Sequence, residues 1–475
     1  TKCLLMFALI LTMNFNVQAQ ESAPTLAIEE IIVTARKKEE SIQDVPMAVT
    51  AITDQLNEGS VRRIEDIQAF APNLFINRTP GIASGAAITI RGVASLESDK
   101  SYEPSIGVVM DGMFLGTSSG VLLDNFDIER IEVLRGPQGT LFGKNTTGGI
   151  LNVIRTPVSL TDIGVDASLT IGEFGRQDLK TVIQVPIIED KLGVKIFAAS
   201  IEHDGHVYNT FLEKDAGGDD KLNYGFTTLW EPNDQFSLKF HYEIMEDKSE
   251  QGSYVNRNRV GELACTITQI GFDPRNGCEI NANDGPNTVE SDGSNFSDNE
   301  YESMIVTANY DTENFLYTYI YSNRDMDEQN MQDFDGSPAR LLRMNFFNDW
   351  EQTSHEFRVT SQFSDKFQFI AGIYDWEADF AQRWNVYDLF YQLSRLGVPP
   401  WPFGRKGVAG YDDVDVWEDD VAGNNGQTQV TESIAVFASV DWFVTDQLTV
   451  TAGFRWTEEE KDFVGGASAP GYYPL

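Results

Sequence analysis

The chain has 475 residues, with 35 lysines and arginines against 73 aspartates and glutamates, and its formal net charge is −38. An acidic excess of this size excludes a general nucleic-acid binder, because phosphate binding needs a basic surface. An aromatic content of 11% excludes a disordered chain, since such chains carry little ring surface. The length permits several domains or one large all-β barrel.

The first residues have the pattern of a secretory signal peptide. Lys2 precedes an apolar run from Cys3 to Leu11, and Val17-Gln18-Ala19 resembles a small-residue cleavage site. We therefore expect residues 1–19 to be a signal peptide, with a buried first helix as the alternative. No later stretch approaches the roughly 20 apolar residues of a membrane-spanning helix, so membrane residence would require a β-barrel.

A short β-prone segment follows within residues 20–43. It reads Glu29-Glu30-Ile31-Ile32-Val33-Thr34-Ala35 and precedes the charged run Arg36-Lys37-Lys38-Glu39-Glu40. A segment of this kind can add as a strand to the sheet edge of another protein. Taken alone the signal is weak, because many first strands have the same composition.

Residues 44–157 are rich in glycine and mixed in pattern, which suits tight turns and close backbone approach. The spacing of Ile64, Ile67 and Phe70 predicts a short helix over 62–70. Short strands are predicted at 87–90, 106–110 and 128–134. This part of the chain is therefore expected to be a small α+β domain.

Residues 158–475 alternate between apolar and polar side chains. Over Gln235–Met245, apolar residues occupy the even positions, while Lys239, His241 and Glu243 lie on the other face. Eleven strands are predicted, at 163–173, 176–187, 191–204, 222–231, 235–247, 301–312, 314–324, 350–362, 366–380, 430–442 and 446–458. Their connections alternate between short turns and mostly long loops. A soluble β-sandwich does not require that sorting, so the pattern favours an antiparallel transmembrane β-barrel.

Four motifs follow one another in the N-terminal domain. They are Ile88-Thr89-Ile90-Arg91-Gly92, Val109-Met110-Asp111-Gly112, the run from Ile128 to Gly143, and the run from Gly148 to Pro157. The series closely resembles the plug domain of TonB-dependent outer-membrane receptors, over about residues 28–157. The resemblance implies that residues 44–157 are a plug inside a barrel, and that residues 158–475 are the N-terminal half of that barrel.

The resemblance also implies roles for individual residues. The segment Glu30, Ile31, Ile32, Val33, Thr34 and Ala35 resembles the TonB box, which TonB of the energising inner-membrane complex grips. The residues that match the plug motifs are Arg91, Gly92, Asp111, Gly112, Arg135, Gly136 and Gly143. In the family, arginines at the positions of Arg91 and Arg135 help to latch the plug to carboxylates of the barrel wall. The alternative for each is an ordinary surface charge.

Other chemical interpretations are weaker. Cys265 and Cys278 are the candidates for a disulfide in an exported chain, with two unpaired thiols as the alternative. His203 and His206 are close in sequence but lack the second ligand pair of a zinc site. Acidic runs within 284–300 and 412–420 either bind cations or are solvated loops. We therefore predict no catalytic residue, no metal site and no resident cofactor, and the protein is not expected to be an enzyme.

These features predict active uptake of a scarce, bulky ligand across the bacterial cell outer membrane. The resemblance makes a ferric siderophore the first expectation. A vitamin-like cofactor, an oligosaccharide or another organic ligand is the alternative within the same mechanism, and a passive porin or adhesin barrel is the alternative of another class. The expected partners are TonB, outer-membrane lipid and the ligand, with no nucleic acid. Plugged outer-membrane transporters have about 22 strands, so eleven strands predict a C-terminally truncated fragment.

Overall fold

The computed structural model describes residues 31–57, 59, 61–79, 85–94, 99–121, 126–255, 287–293, 295–337, 342–364, 366–387 and 421–468. Several predictions fall outside these residues: the signal peptide, Glu30 of the predicted TonB box, the Cys265–Cys278 disulfide and the acidic run at 412–420.

A five-stranded mixed sheet forms the centre of the N-terminal domain. In chain order the elements are β1 (Ile32–Val33), β2 (Glu40–Ser41), β3 (Val49–Ile52), α1 (Asp54–Asn57), a 3-10 helix (Ile64–Ala69), β4 (Leu74–Arg78), β5 (Ala86–Ile90), β6 (Val93–Ala94), β7 (Ile106–Met110), β8 (Met113–Leu115), β9 (Ile128–Arg135) and β10 (Gly149–Arg155). The central sheet has the order β3-β9-β10-β7-β8, with β10 parallel to β7 and antiparallel to β9. Strands β4, β5 and β6 form a second sheet.

The core of this domain is apolar and is built from both sheets and the short helix. Ile131 on β9 and Leu151 on β10 are buried in it, together with Ile64 and Ile67 of the 3-10 helix. The predicted helix over 62–70 is thus a 3-10 helix, whose three-residue turn matches the spacing of its apolar residues. Phe70, predicted on the same face, is exposed instead. Among the described residues, no helix is long and apolar enough to cross a membrane.

An eleven-stranded antiparallel sheet follows the N-terminal domain. Its strands are β11 (Gly164–Ile171), β12 (Gln177–Ile188), β13 (Leu192–His203), β16 (Asp219–Asn233), β17 (Phe236–Asp247), β19 (Phe296–Asp311), β20 (Phe315–Asp333), β21 (Arg343–Ser361), β22 (Phe367–Tyr387), β23 (Val421–Thr445) and β24 (Leu448–Ser468). Each strand pairs with the sheet strands next to it in the chain. The strands β14 (Val207–Asn209), β15 (Lys214–Ala216) and β18 (Thr288–Val289) form a separate small sheet. The predicted number and order of barrel strands are confirmed.

Several barrel strands are longer than predicted. β20 reaches Asp333 rather than residue 324, β21 begins at Arg343 rather than residue 350, and these two residues pair at the end of the ladder. Apolar alternation marks only the lipid-facing part of a barrel strand, whereas backbone pairing continues through polar residues beyond it. The pattern therefore locates the strands but not their ends.

The two faces of the barrel sheet differ in polarity. The outward face exposes large apolar side chains such as Phe226, Ile373 and Phe454, while the inward face carries buried polar groups such as Lys195 and Glu243. Apolar residues outside and polar residues inside are the arrangement of a transmembrane barrel. The prediction of a transmembrane β-barrel sheet is therefore confirmed.

Short turns lie at one end of this sheet. They join β12 to β13, β16 to β17, β19 to β20, β21 to β22 and β23 to β24. Ring pairs lie beside them: the ring centroids of Trp230 and Phe236 are 6.0 Å apart, and those of Phe367 and Trp442 are 5.9 Å apart. Aromatic residues at this level are typical of an interfacial girdle, and short turns are typical of the periplasmic end of such barrels.

Candidate functional site

The predicted TonB box forms one strand of a small hairpin. Ile32 pairs with Ser41 across the hairpin, so β1 and β2 are antiparallel. Val33 is 0% exposed and Ala35 is buried beside it. The apolar cluster around them contains Val45, Val109, Phe114, Leu134 and Ile150. The segment is thus a strand at Ile32 and Val33, but it is packed against the N-terminal domain rather than free.

Thr34 joins this hairpin to the central strand β9. Its backbone N–H donates to Oε1 of Glu132 at 2.8 Å, and its hydroxyl lies 3.2 Å from the same oxygen. Glu132 is 0% exposed and also accepts hydrogen bonds from Asn152 at 3.1 Å and from Nε of Arg130 at 2.9 Å. These donors compensate the buried carboxylate for the water it has lost.

The charged run after the box contacts the barrel wall. Arg36 and Lys38 bind Asp441 on β23 at 2.8 Å and 3.1 Å, and Lys37 binds Glu356 on β21 at 2.6 Å. Burial lowers the pKa of the Lys37 amine, and the Glu356 carboxylate opposes that shift. The hairpin is therefore fastened on two sides, to the N-terminal domain through Thr34 and to the wall through its cations.

A cavity of about 1070 Å³ opens beside the hairpin. Its lining includes Thr34 and Lys37 from the hairpin, Asp111 from the N-terminal domain, and Asp234 and Gln362 from short turns. The hairpin thus lies at the short-turn end of the barrel, which is the end that a periplasmic protein can reach.

Buried ion pairs hold the N-terminal domain against the inward face of the barrel. Lys195 on β13 binds Asp127 at 2.7 Å, and Arg155 at the end of β10 binds Glu243 on β17. Because these charges are shielded from water, each depends on its partner. Further pairs join Lys100 to Glu328, Arg63 to Asp219, Lys144 to Glu459 and Lys461 to Glu103.

Asp111, one of the predicted motif residues, takes part in this docking. Its carboxylate lies 3.7 Å from Lys239 on β17 and accepts a hydrogen bond from the backbone N–H of Arg155. Burial favours the neutral acid, but Lys239 and Arg155 hold the pKa of the Asp111 carboxyl below its usual range. Asp111 is therefore a charged contact between the domain and the wall.

Two of the predicted motifs are hairpin turns. Arg91-Gly92 joins β5 to β6, with Ile90 paired to Val93, and its φ angles are 52° and 81°. Asp111-Gly112 joins β7 to β8 in the same way, with φ angles of 48° and 94°. Positive φ at both positions is the signature of a two-residue type I′ turn, in which glycine is favoured. The motif spacing therefore reflects turn geometry.

The other motif residues lie at the edge of the central sheet and beside the wall. Arg135 ends β9, and the N–H of Gly136 donates to Gly148. A Cβ atom at Gly143 would lie 2.6 Å from the guanidinium of Arg455 on β24. In the part of the chain that the structure describes, neither Arg91 nor Arg135 forms an ion pair with a wall carboxylate. Their latch role stays a prediction.

Sequence reasoning missed most of the residues that join the domain to the wall. Lys195 and Glu243 occupy polar positions of alternating strands, which is the signal that could have marked them as facing the lumen. Asp127 and Glu132 gave no such signal, because buried carboxylates look like surface residues in a single sequence.

The histidines and the outer acidic residues have separate local contacts. His203 Nε2 lies 2.9 Å from Asp219, and His241 Nδ1 lies 2.8 Å from the hydroxyl of Thr227. Within the described ranges, no group of three or more His, Cys, Asp or Glu residues could hold a metal ion. In the loop after β20, burial and the nearby Asp333 raise the pKa of the Asp335 carboxyl to about 8.

Comparison with known proteins agrees with this arrangement. Residues 41–150 match the family model of the TonB-dependent Receptor Plug Domain. The pesticin receptor of Yersinia pestis is 22% identical over 90% of this chain and 56% of its own length. The rhizobactin receptor of Rhizobium meliloti is 21% identical over 94% of this chain and 58% of its own length. The chain thus spans a little over half the length of the curated relatives it matches.

Solved structures show the same fold. The ferric yersiniabactin uptake receptor FyuA from Yersinia pestis superimposes with a TM-score of 0.71 at 18% identity, over 90% of this chain and 58% of that one. The fold is that of a transmembrane β-barrel sheet with a plug domain bound to its inward face. More particularly, residues 41–150 are similar to the plug domain of TonB-dependent receptors, and the chain as a whole is similar to the siderophore receptors named above. The receptors that the chain resembles are not enzymes, which supports the prediction for this chain. The exact domain boundaries stay predictions.

Proposed function

We propose that this receptor takes up a ferric siderophore across the outer membrane, driven by TonB pulling on the segment Ile31–Ala35. The names of its relatives, receptors for pesticin, rhizobactin and ferric yersiniabactin, support iron-siderophore uptake. No bond of the ligand changes. The plug closes the lumen at rest, and its rearrangement lets the ligand pass.

One observation carries this proposal: Val33 and Ala35 of the box are buried in an apolar cluster with Leu134 on β9 and Ile150 on β10. Strands β9 and β10 are neighbours inside the plug sheet. A pull on the box is therefore applied to two interior strands of the plug sheet and not to its edge. Strand β10 ends at Arg155, which forms an ion pair with Glu243 of the wall. The same pull therefore also acts on this ion pair between the plug and the barrel.

A passive pore is the competing function, and the plug disfavours it. Ion pairs reach from the plug to β13, β16, β17, β20 and β24. A domain fastened to so many strands obstructs diffusion through the lumen. A passive pore would also have no use for a strand docked at the periplasmic end.

Uptake of radioactive iron tests the proposal. Cells that produce this receptor as their only siderophore receptor are given a panel of hydroxamate, catecholate and phenolate ferric siderophores, with and without a functional TonB. We expect uptake of at least one siderophore with TonB, and only surface binding without it. Equal uptake in both strains would contradict the energised mechanism. Iron-independent growth rescue by an organic nutrient would instead favour the alternative ligand class.

A further inference from the structure

Glu132 is a buried carboxylate that touches the strand with which a partner would have to pair. We infer that Glu132 closes the pairing edge of β1, and that an incoming strand of TonB must displace its carboxylate from Thr34. The pairing edge is the side of β1 that faces away from β2 and carries the N–H groups of Ile32 and Thr34. The inference rests on the proposed function, because it takes TonB as the partner.

The direction of these backbone groups follows from the hairpin. The carbonyl of Ile31 accepts a hydrogen bond from the N–H of Ile42 at 2.9 Å, so it points towards β2. In a planar trans peptide the next N–H points the opposite way, and the N–H of Ile32 therefore faces away from β2. Val33 pairs across the hairpin, and the same alternation directs the N–H of Thr34 to the pairing edge.

The two donors on this edge are in different surroundings. Ile32 is 42% exposed, whereas the N–H of Thr34 donates to Glu132 at 2.8 Å. A strand that pairs from Ile32 towards Ala35 would normally place a backbone carbonyl opposite Thr34. The Glu132 carboxylate occupies that place. Pairing can therefore begin at Ile32 but must replace Glu132 to continue.

The carboxylate can give up Thr34 without becoming an unpaired buried charge. Asn152 Nδ2 and Arg130 Nε still donate to it, at 3.1 Å and 2.9 Å. A buried charge that keeps its other hydrogen bonds avoids the large penalty of full desolvation. Displacement is thus a change of partner for Thr34 and not a rupture of the plug core.

The hairpin cannot expose this edge simply by turning. Val33 is packed into the apolar cluster, and Lys37 and Arg36 are bound to Glu356 and Asp441 of the wall. These contacts hold the Thr34 N–H against β9. Glu132 is therefore a positioning residue that sets how easily β1 accepts a partner strand.

Hydrogen exchange of the Thr34 amide tests the closed edge without any partner. The full chain is measured in outer-membrane vesicles as wild type, Glu132→Ala, Glu132→Gln and the control Glu189→Ala, which removes an exposed carboxylate in the turn after β12. We expect exchange about tenfold faster in Glu132→Ala, a smaller increase in Glu132→Gln, which keeps an acceptor oxygen, and no change in the control. If Glu132→Ala fails to reach the membrane, Glu132→Gln decides. A Thr34 exchange rate equal to that of the wild type in Glu132→Ala, or in Glu132→Gln if Glu132→Ala is not produced, would overturn the inference.

Capture of the partner tests the competition itself. A photo-cross-linking amino acid replaces Ile32, and the same vesicles are ruptured before the purified periplasmic domain of TonB is added, so that it reaches the periplasmic face. We expect the cross-linked yield to rise several-fold with Glu132→Ala and to stay unchanged with Glu189→Ala. Equal yields in all variants would overturn the inference and leave the proposed function standing. A complete absence of cross-linking in every variant would overturn the proposed function, and with it the role of TonB as the displacing strand.

Discussion

At the scale of single residues, docking of the plug depends on charged side chains that are buried away from water. The side chains of Lys195 and Asp127 are both buried, and Lys195 Nζ also donates to the carbonyl oxygen of Thr156 at 2.6 Å. Transferring a charge from water costs several kcal/mol unless a partner compensates for it. Such pairs are strong while intact and costly when only one partner is removed.

Substitution of Lys195 tests this dependence. Lys195→Met should lower the free energy of plug unfolding by about 3–5 kcal/mol, because Asp127 is left buried without its cation. Urea titration of the purified receptor, followed by hydrogen exchange of the plug, measures the loss. The double variant Lys195→Met/Asp127→Asn should recover most of it, because asparagine is uncharged and tolerates the positive φ of 54° at this position. Lys191→Met, in an exposed short turn, is the control, and a Lys195→Met effect no larger than the control would contradict the account.

Asp335 predicts a pH dependence in the outer loop after β20. Its pKa is about 8 in the folded loop, well above the ordinary value of 3.8. The folded loop therefore favours the protonated acid, and its stability is lost progressively as the pH rises from about 4 to about 8. Hydrogen exchange of residues 333–337, corrected for its intrinsic rate, should accelerate over that range. Asp335→Asn should remove the acceleration, and an unchanged pH profile in that variant would be the contrary result.

At the scale of elements, local rules explain what the sequence could predict. Alternation over β17 and its neighbours revealed the eleven barrel strands in order, and the three-residue spacing of Ile64 and Ile67 marked a short helix. The ends of the strands could not be predicted, because backbone pairing continues through polar residues beyond the apolar alternation. The Arg91-Gly92 motif forms a type I′ turn between β5 and β6, and its role as a latch stays a prediction.

The turn at Gly92 yields a clean backbone test. Its φ is 81° and no atom lies within 4 Å of a Cβ placed there, so Gly92→Ala should cost about 1–2 kcal/mol through backbone conformation alone. Gly252→Ala is the matched control, because that glycine also has open space but lacks a positive φ. The free energy of plug unfolding in urea measures both. Equal values for the two variants would show that the turn does not constrain the fold.

At the scale of the whole molecule, the candidate site is made by residues that are far apart in the chain. Arg36 and Asp441 are 405 positions apart, and Lys37 and Glu356 are 319 apart. No local pattern links such partners, so the sequence could predict the box as a strand but not its docking. The net charge of −38 could not predict this docking either, because buried, paired carboxylates and solvated carboxylates contribute equally to the total.

The central claim is that a partner strand pulls on β1 and so opens the plug. Uptake by cells carrying Ile32→Pro tests it most directly, because proline removes the N–H of Ile32, a backbone donor on the pairing edge of β1. Ile32→Ala keeps that donor and is the control. With equal surface levels and equal ligand binding, we predict that Ile32→Pro cells take up no more radioactive ferric siderophore than cells without TonB, while Ile32→Ala cells retain most of the wild-type rate. Uptake by Ile32→Pro at the wild-type rate would contradict the account.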